Sequence, residues 1–172
     1  MNLRLRQLEL KDAKGMLEWM KDRELSALFR FDSDKITYES IKDFIESSKT
    51  DNRNKHFAIA DNDDEYLGTI SLKNIDNINK NAEYAISLRK CAIGKDVAKW
   101  ATNAILNVAF IELDLHKVYL NVLNDNLRAI KFYEKIGFIY EGEFIDHLRI
   151  RDKWVSLKFY RIIRCEYENS YS

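Results

Sequence analysis

The chain has 172 residues, 46% of them hydrophobic and 33% charged, with 28 basic residues balanced by 28 acidic ones. That length supports a full core in one domain, and zero net charge gives no general attraction to nucleic acid or to an anionic membrane. No apolar run reaches a membrane-spanning length, residues 1–10 alternate charge with leucine, and Cys91 and Cys165 stand without a Cys-x-x-Cys pair, so a reduced, cytoplasmic protein is expected.

Leu3, Leu5, Leu8 and Leu10 predict a first strand. Asp12 then caps a helix carrying Met16, Leu17, Trp19 and Met20, and residues 25–31 form a short apolar turn. Thr37 or Asp34 opens the next helix, in which Ile41, Phe44 and Ile45 share a face. A polar loop covers 49–55. Strands follow over 56–61, 66–75 and 81–88, separated by Asp- and Asn-rich turns at 61–65 and 76–80. Val97, Ala101, Ala104, Ile105, Val108 and Ala109 keep one face of a long helix over 95–113, and 117–123 is a buried strand. Asn126 caps a short helix whose apolar face is Ala129, Phe132, Tyr133 and Ile136. Gly137 stops that helix in a left-handed residue, letting Phe138 fold back on its last turn. Residues 138–150 and 154–163 close as an antiparallel pair. This order predicts an α/β (α+β) fold over 1–172, a mixed, largely antiparallel sheet of about seven strands with helices on both faces.

The unit 126–138 holds Asn126, Ala129, Phe132-Tyr133-Glu134-Lys135 and Gly137-Phe138 in one register. It resembles the second sequence motif of the GNAT acyl-CoA N-acetyltransferases, and the element order is that of the GNAT fold over most of the chain. The Leu-Arg-x-Leu start, the Met-Leu-Glu-Trp-Met helix and the late Ile145-Asp146-His147 strand are similar to the RimJ/RimL-like (Acetyltransferase 3) branch. The resemblance implies acetyl-CoA as co-substrate and no metal; His56, His116 and His147 lack metal-ligand spacing. It implies a small-molecule or peptide amine as acceptor, no nucleic-acid or membrane partner, and a homodimer as an allowed assembly. That branch also includes enzymes acting on polyamines, antibiotics and amino-sugar nucleotides, and the acceptor classes expected here are an amino-sugar nucleotide or a protein N-terminal amine. Residues 67–72 with Ala82-Glu83-Tyr84 are similar to members acting on amino sugars.

The loop before the long helix reads Arg89-Lys90-Cys91-Ala92-Ile93-Gly94-Lys95-Asp96-Val97-Ala98. A helix N-terminus offers free N–H groups and a positive dipole end to a pyrophosphate. The family pattern here is Gln/Arg-x-x-Gly-x-Gly/Ala. Gly94 matches it, but Cys91 replaces Gln or Arg and Asp96 replaces Gly or Ala. An inward Asp96 carboxylate would oppose the phosphates by roughly 4 kcal/mol per charge pair at 4 Å and an effective dielectric near 20. An outward one would merely favour its own helix. The resemblance assigns cofactor contacts to Ser87, Leu88, Arg89, Lys90, Ala92, Ile93, Gly94, Lys95, Asp96, Val97 and Ala98, with Asn121, Asn126, Ala129, Phe132 and Tyr133 opposite. Lys99 adds positive charge beside the loop.

Acetyl transfer to an amine needs a proton acceptor for the amine, a donor to polarise the thioester carbonyl and an acid for the departing thiolate. By position in the motif Tyr133 is the expected acid, with a core tyrosine as the alternative. Glu83, a carboxylate in a mostly apolar strand, is the expected proton acceptor, with a structural ion pair as the alternative. The carbonyl donor is expected at a backbone N–H near Ser87 and Leu88, where the family's strand bulges and splays from 117–123. Trp19, Arg30, Phe31, Tyr38, Glu83 and His147 are the expected acceptor-binding residues, with core packing as the alternative for Trp19 and Phe31. Cys91 and Asp96 favour a rival reading, a catalytically impaired acyl-CoA-binding or sensing module; Tyr133 and Glu83 oppose it.

Overall fold

A computed structural model describes residues 2–27, 29, 31–150 and 152–170. Seven strands form one sheet in the order β1 (Arg4–Gln7), β2 (Lys55–Ala60), β3 (Tyr66–Asp76), β4 (Asn81–Leu88), β5 (Lys117–Leu123), β7 (Lys153–Ile163), β6 (Ile139–Ile150). Six α-helices are described: α1 (Ala13–Lys21), α2 (Arg23–Ser26), α3 (Tyr38–Ser48), α4 (Val97–Asn107), α5 (Leu127–Lys135) and α6 (Arg164–Ser170). None of them is long and apolar enough to cross a membrane.

Strand β2 shows why helices cover both faces. Side chains alternate along a strand, so Ala58 packs with Met16, Ile41 and Ile45 of α1 and α3, while Ile59 joins the cluster of Ile105 and Phe110 on the α4 side. Helix α3 starts at Thr37, not Asp34. Thr37 and Ser40 each accept the other's backbone N–H, at 3.1 and 3.0 Å, a reciprocal cap that fixes the first turn. The first strand is shorter than predicted, because Leu10–Asp12 already turns as a 3-10 helix. Asp12 precedes α1 without capping it. Its buried carboxylate instead takes two hydrogen bonds from the Arg6 guanidinium, at 2.7 and 2.8 Å, and one from the Glu9 N–H. The predicted long helix is α4 followed by a π-helical turn, Val108–Glu112, that seats Phe110 in the core.

All neighbouring strands are antiparallel except β4 and β5. That parallel seam lasts three residue pairs, from Asn81–Lys117 to Glu83–Tyr119. Beyond it β4 stays paired with β3 as far as Leu88, and β5 with β7 as far as Leu123, so the two strands diverge. The expected splay is present; the expected bulge at Ser87–Leu88 is not. The β3–β4 register is unbroken from Glu83 to Leu88, and its irregularity lies at Lys73–Asp76, by the hairpin turn. Gly68 permits this closeness: a methyl group there would collide with the Ser87 carbonyl oxygen and Leu88.

Candidate active site

The divergence opens a cleft of about 610 Å³ between β4 and β5. Along it, the edge of β4 turns backbone N–H and C=O groups toward the opening instead of toward a paired strand. Ser87, Leu88, Ile93, Gly94, Asp96 and Ala98, from β4 and the loop into α4, line it together with Asn121, Asn126, Ala129, Phe132 and Tyr133, from β5 and α5.

At one end stands the α4 N-terminus. The N–H groups of its first turn have no partner within the helix, and the Trp100 N–H is the one that reaches back to the Asp96 carbonyl. Asp96 sits at φ +57°, a left-handed conformation, and its carboxylate caps no N–H. Glycine adopts that conformation without strain, and aspartate is among the side chains that tolerate it best. The first-turn donors thus stay available, and Lys99 and Arg128 line the same cleft. Arg128, missed in the sequence, lies inside the recognised motif as a basic residue of the first α5 turn.

Several expected contacts are elsewhere. The Arg89 guanidinium donates to Glu18 (2.7 Å), Glu65 (2.5 Å) and the Tyr66 carbonyl (3.0 Å), which ties the loop to α1 and β3. The Lys90 ammonium is 2.9 Å from Glu24. Ala92 and Val97 point into the core, and Lys95 is exposed outside the cleft lining. The side chains of these five residues are thus engaged elsewhere or lie outside the cleft lining.

Tyr133 is held at the other wall by the end of its own helix. Gly137, at φ +101°, donates to the Glu134 carbonyl and Phe138 donates to the Tyr133 carbonyl, at 3.2 and 2.9 Å. This double closure folds Phe138 back so that its ring lies 5.8 Å from that of Tyr133. Asn126 caps the start of the helix, its side-chain oxygen accepting the Ala129 N–H at 3.2 Å. Apolar surroundings push the Tyr133 hydroxyl up to about 12. It therefore keeps its proton at neutral pH and can act only as a donor of it.

Glu83 is not sealed in apolar surroundings. Its side chain is 16% exposed and accepts from Lys73 (3.1 Å), Asn121 (3.2 Å) and Asn74 (3.1 Å). Lys73 went unforeseen, although the 76–80 turn places it opposite Glu83 in the hairpin register. Leu25, Phe29 and Phe31 add an apolar wall. Trp19 lies behind that wall. Its ring is buried against Phe29 and Phe31, at 5.2 and 5.7 Å, and its Nε1–H donates to the Tyr66 hydroxyl at 3.2 Å. Tyr38 is exposed at the start of α3 with the Lys42 ammonium over its ring, outside the cleft lining. His147 is on the edge strand β6, packed on Phe144, with β7 between it and β5. Arg30 lies outside the described residues.

Residues 2–139 match the family model described as an acetyltransferase (GNAT) domain, and the chain belongs to that family. It is an N-acetyltransferase, with acetyl-CoA as co-substrate. Over 167 residues it is 27% identical to the spermidine N(1)-acetyltransferase of Vibrio cholerae, covering 97% of this chain and 96% of the relative. The Escherichia coli K12 spermidine N(1)-acetyltransferase is 27% identical over 154 residues, 89% of this chain and 81% of its own. The crystal structure of the Vibrio cholerae spermidine N-acetyltransferase in complex with CoA and spermine superposes with a TM-score of 0.89, at 26% identity, covering 97% and 98% of the two chains.

Proposed function

We propose that this chain acetylates a primary amine on an acceptor that is not a polycation, of the nucleotide-linked amino-sugar class. The observation that carries the reading is the Glu83–Lys73 pair at the acceptor end. The carboxylate beside the reacting position already has an ammonium partner at 3.1 Å. Among the described cleft-lining residues, Lys73, Lys99 and Arg128 face only two acids, Glu83 and Asp96, and Asp96 stands at the α4 end. A polyamine bringing three or four ammonium groups would find no free carboxylate there, and uncompensated charge is costly to desolvate. Asn74 and Asn121 beside Glu83, with the faces of Phe29 and Phe31, instead suit a hydroxylated ring.

In this reading acetyl-CoA supplies the activated thioester. The first-turn N–H groups of α4, with Lys99 and Arg128, hold its phosphates. Glu83 receives the proton that the amine releases as its nitrogen bonds to the carbonyl carbon. Tyr133 gives its proton to the sulfur as the carbon–sulfur bond breaks.

The test is acetyl-CoA consumption with three acceptors at equal concentration: a uridine-diphosphate-linked amino sugar, spermidine and an alanine-terminated peptide. We expect kcat/KM for the amino sugar to lead by about tenfold or more, a discrimination of about 1.4 kcal/mol. A lead for spermidine would replace this reading with the polyamine one, which the whole-length likeness to spermidine acetyltransferases favours. Transfer to none of them, with no acetyl-CoA binding, would favour the impaired module.

Asp96→Gly tests the phosphate end. It removes a left-handed aspartate, worth about 1 kcal/mol of backbone strain, and one negative charge. Higher Tm and tighter acetyl-CoA binding by calorimetry are expected, with a gain in affinity that shrinks as salt rises. An unchanged dissociation constant at low salt would place the carboxylate away from the phosphates.

A further inference from the structure

We propose that Tyr84 is a positioning residue for Tyr133: pinned through Thr102 to helix α4, its ring stands edge-on against Tyr133 and fixes the aim of that hydroxyl in the cleft. The inference rests on Tyr133 being the acid. It starts from a gap in the hydrogen-bond pattern. Among the described residues no hydrogen bond to the Tyr133 hydroxyl is formed, and it lines the open cleft, so its aim rests on how its ring is packed. Among the described residues three rings touch it. Phe132 is its neighbour in the helix, Phe138 is brought by the helix end, and Tyr84 alone comes from across the splay, 5.9 Å away at 88°.

Tyr84 is the first β4 residue past the parallel seam and is 2% exposed. Its hydroxyl lies 2.8 Å from Oγ1 of Thr102, which is fully buried in α4. The single hydroxyl proton of Thr102 is donated to the Ala98 carbonyl at 2.7 Å. Thr102 can therefore only accept from Tyr84, so the chain runs Tyr84 O–H to Thr102, then Thr102 O–H to Ala98. This polarity has two consequences. Tyr84 has spent its own proton and is not itself the acid. Its ring is anchored to the first turn of α4, so the phosphate end of the cleft and the aim of Tyr133 share one buried strut. An edge-to-face contact of this kind is a preferred ring geometry and resists rotation of either partner.

The experiment is a double-mutant cycle on the full chain with Tyr84→Leu, Tyr133→Phe and the pair, measured at saturating acetyl-CoA with the three-acceptor panel above. Tyr84→Leu is expected to lower kcat about tenfold, less than the hundredfold that a misplacement of about 1 Å can cost, with the acetyl-CoA dissociation constant unchanged. In the Tyr133→Phe background the same substitution should do nothing more, because no hydroxyl is left to aim. An equal loss in both backgrounds would mean a general structural role and overturn the inference. Tyr84→Phe, which keeps the ring and loses only the strut, repeats the comparison at smaller amplitude should Tyr84→Leu fail to fold. Tyr133 ring resonances, read by NMR on tyrosine-labelled protein, decide the matter without turnover: they should shift and average in Tyr84→Phe, and unchanged signals would overturn it. Wild-type turnover in Tyr133→Phe alone would instead reject Tyr133 as the acid, while the resonances still report whether Tyr84 holds its ring.

Discussion

Tyr133→Phe is expected to lower turnover about a hundredfold or more, the usual scale for loss of a general acid, with acetyl-CoA affinity unchanged. The substitution keeps the ring against Tyr84 and Phe138 and removes only the hydroxyl. That hydroxyl lines the cleft and has no hydrogen-bond partner among the described residues, so its loss strands no partner group, and stability should not fall. A loss confined to kcat would identify an interaction made in the transition state and absent from the ground state. Burial raises this hydroxyl to about 12. In the proposed role of acid, Tyr133 is therefore in its working form throughout the neutral range and is lost only as pH rises through that value. Any falling limb of kcat at lower pH must belong to another group. Steady-state kinetics with calorimetry of acetyl-CoA decide the matter, and wild-type turnover would send the thiolate's proton to water or to another side chain.

Arg6→Ala should cost about 3–5 kcal/mol of folding stability, the range for removing one partner of a buried ion pair. Asp12 is 1% exposed, and its two oxygens are filled by Arg6 at 2.7 and 2.8 Å. The Asp12 bonds first, and then the one that Arg6 Nε donates to Asp64 at 2.7 Å, hold the guanidinium well above its ordinary range. Without them a carboxylate is left buried with the Glu9 N–H as its one remaining partner among those described. At this chain length each kcal/mol moves Tm by about 2–4 °C, so a fall on the order of 10 °C should be seen by calorimetry. Replacing both partners by apolar residues, Arg6→Met with Asp12→Leu, should recover most of it, because no lone charge remains. A single-variant Tm within about 2 °C of wild type would mean that water reaches Asp12.

Local rules carried the sequence a long way. The 126–138 unit was legible because each step is short-range: an asparagine cap, a helix-spaced apolar face, a glycine that only a left-handed stop requires. The hairpins followed from turn chemistry, and Asp96 declared itself as a mismatch at a backbone position that favours glycine. What stayed hidden depends on distant partners. Nothing local sets β7 between β5 and β6, and that choice removes His147 from the cleft. Trp19 reads alike whether it lines a pocket or backs the residues that do. Arg89 looked like a phosphate ligand because its acids, Glu18 and Glu65, are remote in sequence. Helix α6 carries no long apolar stripe; Arg161 and the Ile163 N–H meet the Glu166 carboxylate at its start.

The short β4–β5 seam has a thermodynamic consequence. Three residue pairs join a half-sheet of β1–β4 to one of β5, β7 and β6, so the sheet is least fastened where the cleft opens. A ligand seated there touches both halves and serves as the rivet that the missing pairs would have been. Such binding adds stability by mass action, about 2.7 kcal/mol at a hundred times the dissociation constant. The resistance of this chain to heat and to proteases is then not a fixed property of its sequence. It is expected to rise and fall with the supply of acetyl-CoA.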